Sequence, residues 1–322
     1  MEFPSELKKQ IELNTSQWSI SELKKASDNI TKKYKNESGK GKRLITDKLD
    51  AAVYSVVRMP ATFAAVSDAI FHTLEIVGDK YDIKTLLDVG AGTGAAAWAA
   101  DCQLELDGIT CLEREKEMSA LGKEFMKSGS TALKNAEWIT YDISRTELPC
   151  NADLVTAAYV LNELSDSQRI DTIKKLWKAA NKVLIIIEPG TPDGFTGLST
   201  ARDILLKDGV HIAAPCPHEN KCRIADDDWC HFTARVQRSR LHKMLKGGDA
   251  PFEDEKYSYM AFVHTDIGFN GSRILRHPYI GKGKISMELC SENENTTAII
   301  TKKQGELFKI AKKLKCGDIL PK

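Results

Sequence analysis

The sequence predicts an α/β fold: a doubly wound, Rossmann-like parallel sheet with additions at both ends. Three observations carry this. From Lys84 onward, short β-rich runs alternate with helical stretches, the rhythm of β-α-β units with right-handed crossovers. A glycine-rich loop, Gly90-Ala91-Gly92-Thr93-Gly94, sits where the first of those strands meets its helix. The 322 residues suffice for roughly two domains, or one large domain with additions.

In chain order, residues 1–80 read as a helical region. Ser19-Ile20-Ser21-Glu22 supplies acceptors for the free N–H groups of a helix start. Residues 36–43 form a polar, basic loop, and Pro60 should bend or restart a helix. Residues 81–205 form the Rossmann-like unit. Its expected strands are Thr85–Val89, Gly108–Glu113, Glu137–Tyr141, Asp153–Tyr159 and Lys182–Glu188. Its helices are Ala95–Leu104, Lys116–Ser128 and Gln168–Ala180. A helix near Leu198–Lys207 follows, and residues 206–250 read as a cysteine-rich insertion ending in a basic helix, Ala234–Leu245. Residues 251–322 hold a strand at Lys256–His264, a β meander over Arg273–Lys303 and a basic helix at Gln304–Lys315.

Composition narrows the class. The chain is 42% hydrophobic and 28% charged, enough for a sizeable core with a soluble surface. Its apolar runs are strand-length and fall short of the ~20 residues that span a bilayer, so no membrane partner is expected. Met1–Glu6 lacks a basic n-region and an apolar h-region, so a cytoplasmic location is expected. A reducing compartment disfavours structural disulfides. Net charge is only +1, yet Arg273–Lys322 carries 11 Lys/Arg against 5 Asp/Glu, a local +6 that suits phosphate.

The glycine loop reads Asp88-Val89-Gly90-Ala91-Gly92-Thr93-Gly94 in full. It is similar to the first motif of class I S-adenosylmethionine-dependent methyltransferases. A dinucleotide fingerprint would put two residues between its second and third glycines, and this loop has one. Glu113 ends the next strand, 25 residues after Asp88, where an acid accepts from ribose hydroxyls. Asp142 and Ile143 end the third strand, where this fold contacts adenine, and Tyr159 ends the fourth. Asn162 and Glu163 either line the pocket or form a helix N-terminal turn. The Asn/Asp-Pro-Pro-aromatic motif of amino methylation is absent there, and Pro149-Cys150 precedes the fourth strand instead of ending it. The catalytic residue is therefore left unknown.

Cys216, Cys222 and Cys230 fall within 15 residues. Zinc modules usually pair cysteines two to four residues apart. The gaps here are wider, as around a larger centre such as an iron–sulfur cluster on four thiolates, with zinc as the alternative. Cys290, Cys316, His218 and His231 are candidates for a fourth ligand. Radical S-adenosylmethionine enzymes use a more compact run of three cysteines, which this chain lacks.

The flanks of these cysteines carry a more specific resemblance. Ala214-Pro215-Cys216-Pro217-His218, Cys222, Asp228-Trp229-Cys230-His231-Phe232, Arg235 and Arg238-Ser239-Arg240-Leu241-His242 resemble the signature of one family. So do Arg58-Met59-Pro60-Ala61-Thr62, Glu188-Pro189-Gly190-Thr191-Pro192, Arg276-His277-Pro278 and Gln304-Gly305-Glu306-Leu307. The family is the methyltransferase-like assembly factor of the small ribosomal subunit, with mitochondrial and bacterial members. The resemblance covers nearly everything from Ala51 onward. It implies a [4Fe–4S] cluster on Cys216, Cys222, Cys230 and Cys290, and binding to ribosomal RNA of the small subunit.

Two functions follow. In one, S-adenosylmethionine binds at Gly90–Gly94 and a methyl group passes to ribosomal RNA. In the other, cofactor and cluster are structural while the protein clamps RNA during assembly. Arg235, Arg238, Arg240, Lys243, Arg276, Lys282, Lys284, Lys302 and Lys303 are the expected phosphate contacts. A nicotinamide-dependent iron–sulfur oxidoreductase is a weaker third reading, because its loop would be spaced differently.

Overall fold

The structure, a computed structural model, describes residues 2–37, 44–143, 147–225 and 227–321. From residue 38 the basic loop expected at 36–43 lies outside them. Four helices open the chain: α1 (Ser5–Thr15), α2 (Ile20–Glu37), α3 (Lys48–Val57) and α4 (Met59–Val77). Asp47 caps α3 by accepting the Asp50 N–H at 2.8 Å. Pro60 sits in the first turn of α4, where its missing N–H costs nothing, and α3 and α4 meet at a 51° bend. Among the described residues no single helix is long and apolar enough to cross a membrane.

Alternating units follow: β1 (Thr85–Val89), α5 (Ala95–Asp101), β2 (Gly108–Glu113), α6 (Lys116–Met126), α7 (Thr131–Lys134), β3 (Glu137–Thr140), β4 (Ala152–Ala158), α8 (Asp166–Ala179) and β5 (Ala180–Pro189). Then come α9 (Pro192–Lys207), β6 (His211–Ala214), β7 (Phe232–Gln237), α10 (Arg240–Lys246) and β8 (Phe252–Val263). The chain ends with β9 (Ser272–Ile274), β10 (Tyr279–Gly281), β11 (Lys284–Cys290), β12 (Asn295–Thr301), α11 (Glu306–Ala311) and β13 (Ile319–Leu320).

The main sheet runs β3-β2-β1-β4-β5-β8-β6, with β7 pairing the other end of β8. Strands β1 to β5 are parallel, whereas β8 is antiparallel to β5, β6 and β7. Successive residues of β5 feed opposite faces. Val183, Ile185 and Ile187 join the core shared with α1 to α7, and Leu184 and Ile186 join the core beneath α8 and α9. Burial on both faces is why this strand reads as a continuous apolar run. A second, five-stranded antiparallel sheet is built from β9 to β13 over its own small core of Ile274, Ile285, Met287, Leu289 and Ile300.

One expected element is corrected. The basic helix read from Ala234 is strand β7 up to Gln237, and helix begins only at Arg240. Phe232, Ala234 and Val236 are buried while Arg235 and Gln237 are exposed, a period of two that pairs β7 with β8. Ser239 then caps α10, accepting the His242 N–H at 3.0 Å.

Candidate functional site

The strand order reverses between β1 and β4, and ligands of such sheets bind in the crevice beyond the strands' C-terminal ends. A cleft of about 610 Å³ lies there. Gly90, Gly92, Glu113, Asp142, Ile143 and Tyr159 line it, joined from the N-terminal helices by Tyr54 and Arg58. Gly90 and Gly92 hold left-handed φ of 71° and 58°. A Cβ on Gly90 would stand 2.5 Å from Val160 Cγ2, so the loop needs glycine for both its turn and its space.

Asp88 and Gly94 do not line the cleft; they support it. Asp88 is buried beneath the loop, where Oδ1 accepts the Thr156 hydroxyl at 2.9 Å. Oδ2 has no partner among the described residues, and burial pushes the carboxyl up to about 7. Gly94 turns the chain into α5 at φ 87°. Glu113 accepts the N–H of Gly92 and of Glu115, each at 2.7 Å. One lone pair on each oxygen is thereby used, and a carboxylate keeps about two more.

One supporting group here was not legible in the sequence. Glu188, at the end of β5, is buried and accepts the N–H of Leu161 at 2.8 Å and of Asn162 at 3.2 Å. It fixes the 3₁₀ turn Leu161–Glu163, which carries Asn162 and Glu163 into the cleft lining. Burial pushes the Glu188 carboxyl up to about 8 and that of Glu163 to about 7. Tyr159 just before this turn is the one non-glycine with positive φ, 61°, among the described residues. Its hydroxyl donates to Glu255 at 3.1 Å.

Cys216, Cys222, Cys230 and Cys290 line a second, smaller cavity of about 40 Å³. His218 also lines it, with Nε2 3.7 Å from the Cys290 sulfur. Cys316 and His231 do not; the Cys316 thiol donates to the Leu275 carbonyl at 3.3 Å. Among the described residues no three such donors converge closely enough for a single metal ion. Burial pushes the Cys290 thiol up to about 12, with repulsion from Cys216 adding to it.

The cavity wall also holds unsatisfied polar atoms. Arg202 Nε, Arg273 Nη2 and the Tyr259 hydroxyl are buried and without partners among the described residues. Arg273, only 1% exposed, donates through Nε to the Pro215 carbonyl at 2.9 Å and through Nη1 to Gly317 at 2.6 Å. Arg202 shares the apolar face of α9 with Leu198, Ala201 and Leu205, an anomaly the sequence could have flagged. Buried cations and spare donors beside four thiols suit an anionic metal–sulfur group, whose sulfurs accept N–H bonds.

The nine expected phosphate contacts divide. Arg238 is clamped to Glu253 at 2.9 and 3.0 Å, and Arg235 lies 3.4 Å from Asp254. Arg276 grips both Asp228 oxygens at 2.6 and 2.7 Å, tying the cysteine loop to the second sheet. Arg240 and Lys243 lie on α10. Lys282, Lys284, Lys302 and Lys303 gather at one end of the β11–β12 pair, exposed and without ion pairs among the described residues.

Sheet order, glycine loop and switch-point crevice together define an α/β protein of the class I methyltransferase type. The chain belongs to the family described as mitochondrial small ribosomal subunit Rsm22, which matches residues 48–321. It is 27% identical over 290 residues to the human ribosome assembly protein METTL17, mitochondrial, covering 84% of this chain and 62% of that one. It is 23% identical to the Rsm22-cox11 tandem protein 2, mitochondrial, of Schizosaccharomyces pombe, covering 89% of this chain and 45% of that one. The chain thus spans less than two thirds of the length of these relatives. A solved structure of a putative RNA methyltransferase from Pyrococcus horikoshii aligns with TM-score 0.41 and 15% identity, over 62% of this chain and 82% of that one. The cytoplasmic location expected above is corrected here, because the family and these two relatives are mitochondrial. Lack of a secretory signal does not distinguish cytosol from mitochondrion, and composition does not separate the two.

Proposed function

We propose that this protein acts on the mitochondrial small ribosomal subunit during its assembly, as a methyltransferase-like factor that binds ribosomal RNA. The observation that carries this is the family match over residues 48–321, which includes most of the cleft lining and all of the thiol-lined cavity. In this reading Gly90, Gly92, Glu113, Asp142, Ile143 and Tyr159 hold S-adenosylmethionine, with Asp88 and Gly94 supporting the loop. The bound cofactor supplies an electrophilic methyl group. Cys216, Cys222, Cys230 and Cys290 hold a [4Fe–4S] cluster, with Arg202 and Arg273 offsetting its charge. The cluster then fastens the 215–232 loop to the second sheet, joining two parts that the Arg276–Asp228 pair already bridges.

The chain's own residues bind and position. Arg240, Lys243, Lys282, Lys284, Lys302 and Lys303, which have no carboxylate partner among the described residues, supply phosphate contacts, and Glu188 holds the turn that faces the cofactor. In a non-catalytic variant of this reading the same residues hold the cofactor, with Tyr54 and Arg58 from the N-terminal helices forming part of the cleft wall. Methyl transfer needs an acceptor atom within about 3–3.5 Å of the methyl carbon.

The test is anaerobic reconstitution with iron and sulfide, followed by incubation with labelled cofactor and immature small subunits. Iron and sulfide in equal, stoichiometric amounts with a broad visible absorbance support the cluster; stoichiometric zinc without it overturns that part. Label in ribosomal RNA establishes the enzyme. Bound cofactor and subunit without label establish the non-catalytic factor, and no association with small subunits overturns the proposal.

A further inference from the structure

The outer face of the second sheet carries an aromatic side chain that the fold does not use. β10 pairs with β11 and β11 with β12, placing Tyr279 opposite Ser286 and Ser286 opposite Ile299 in one cross-strand row. Directly opposed residues of antiparallel strands share a face. Tyr279 is 68% exposed and Ile299 58%, whereas their neighbours Ile285 and Ile300 point into the core. The next row is Gly281, Lys284 and Thr301. A Cβ on Gly281 would lie 3.3 Å from Tyr279 Cε1 and 3.6 Å from Lys284 Cγ. The ring therefore leans over a glycine, beside a lysine stem, with its outer face open. Lys282, Lys302 and Lys303 stand at the same end, and Glu288, opposite Thr297, lies at the far end of the face.

We infer that this face binds an unpaired RNA base, with Tyr279 as the stacking platform and the neighbouring lysines holding the flanking phosphates. The inference rests on the RNA reading above and deepens it. An open ring on a sheet, small residues beside it and cations at one end are what single-stranded nucleic acid requires. Every base has a π-face, and its backbone needs countercharge. Duplex RNA stacks its bases internally and offers this ring nothing but backbone. Charge complementarity selects RNA over a second apolar protein surface, since Lys282, Lys284, Lys302 and Lys303 beside the ring are exposed and have no ion pair among the described residues.

The test uses the full chain and an oligoadenylate of roughly 10 nucleotides, a length one such surface spans. Wild-type protein binds it with affinity that falls steeply with salt. Tyr279→Ala weakens binding on the order of tenfold with the salt slope unchanged, Tyr279→Phe retains it, and Tyr279→Leu, which still covers Gly281, behaves like alanine. Binding to a duplex of the same backbone charge is unaffected by Tyr279→Ala. Equal affinity of wild type and Tyr279→Ala, or rescue by leucine, overturns stacking and leaves the wider RNA reading standing. Loss of small-subunit association in Tyr279→Ala with oligoadenylate affinity unchanged assigns the face to a protein partner and overturns it too. No RNA binding by the wild-type chain overturns the RNA reading itself.

Discussion

Replacing Arg273 with methionine tests the wall of the thiol-lined cavity. The guanidinium is buried and holds two carbonyls, Pro215 at the start of the cysteine loop and Gly317 before β13. Methionine fills much of the volume and donates nothing. Each buried carbonyl left without its donor costs about 1–3 kcal/mol, so Arg273→Met should lose ~2–6 kcal/mol. Lysine places one ammonium where a fork reached two acceptors, so Arg273→Lys should lose about half as much. Urea unfolding of the unreconstituted protein reads both, as a shift of midpoint at constant slope. The same variants should retain less iron after reconstitution, in the same order. An Arg273→Met loss below ~1 kcal/mol would refute the idea that this side chain ties loop to sheet.

Four further outcomes are expected. Gly90→Ala should abolish measurable cofactor binding in calorimetry and cost ~2–4 kcal/mol, from left-handed strain plus the Val160 contact; adding Val160→Ala should recover only the contact part. Asp88 has a carboxyl raised by burial, so its contribution is fully present below its ordinary value near 4 and is lost as pH rises through about 7. Asp88→Asn should flatten that fall in a pH series of melting temperatures. Lys302→Ala and Lys303→Ala should each shallow the log–log salt dependence of single-stranded RNA binding by about 0.7 while leaving base preference alone. Trp229→Phe removes the Nε1–H bond to the Gly190 carbonyl at 2.9 Å, and cofactor affinity measured with and without reconstituted iron should then differ less than in wild type.

How legible each part was follows from what fixes it. The parallel strands and the glycine loop were readable because local rules set them. β5 is an unbroken apolar run buried on both faces, and Gly90 and Gly92 occupy φ values that favour glycine. β7 was misread although Phe232, Ala234 and Val236 alternate, since the strand is six residues long and a true helix starts three residues later. The four cysteines were readable as a set through their flanking residues. The Arg273 guanidinium beside them was not, because its burial depends on Pro215 and Gly317, 58 and 44 residues away. Nor does amphipathic patterning in α3 say that Tyr54 will face the cleft, since a periodic stripe names a buried side and not its partner.

The end of β5 explains why the two cavities sit where they do. Glu188, Pro189 and Gly190 are consecutive, and each serves a different neighbour. Glu188 holds the turn that carries Asn162 and Glu163 to the cleft, and Pro189 lines that cleft. The Gly190 carbonyl accepts from Trp229, next to Cys230, while its N–H donates to the Lys256 carbonyl at 2.9 Å. A Cβ at Gly190 would lie 2.7 Å from the Lys256 backbone, so only glycine lets β8 come this close. Ser258, two residues on, donates to the Cys230 carbonyl at 2.7 Å. Ordering the 215–232 loop therefore tightens the strand end on which the cleft's floor rests, whether or not a methyl group ever leaves it. Through Gly190, Trp229 and Ser258 the cysteine loop and the cleft share one strand end, so a change that loosens either side is felt at the other.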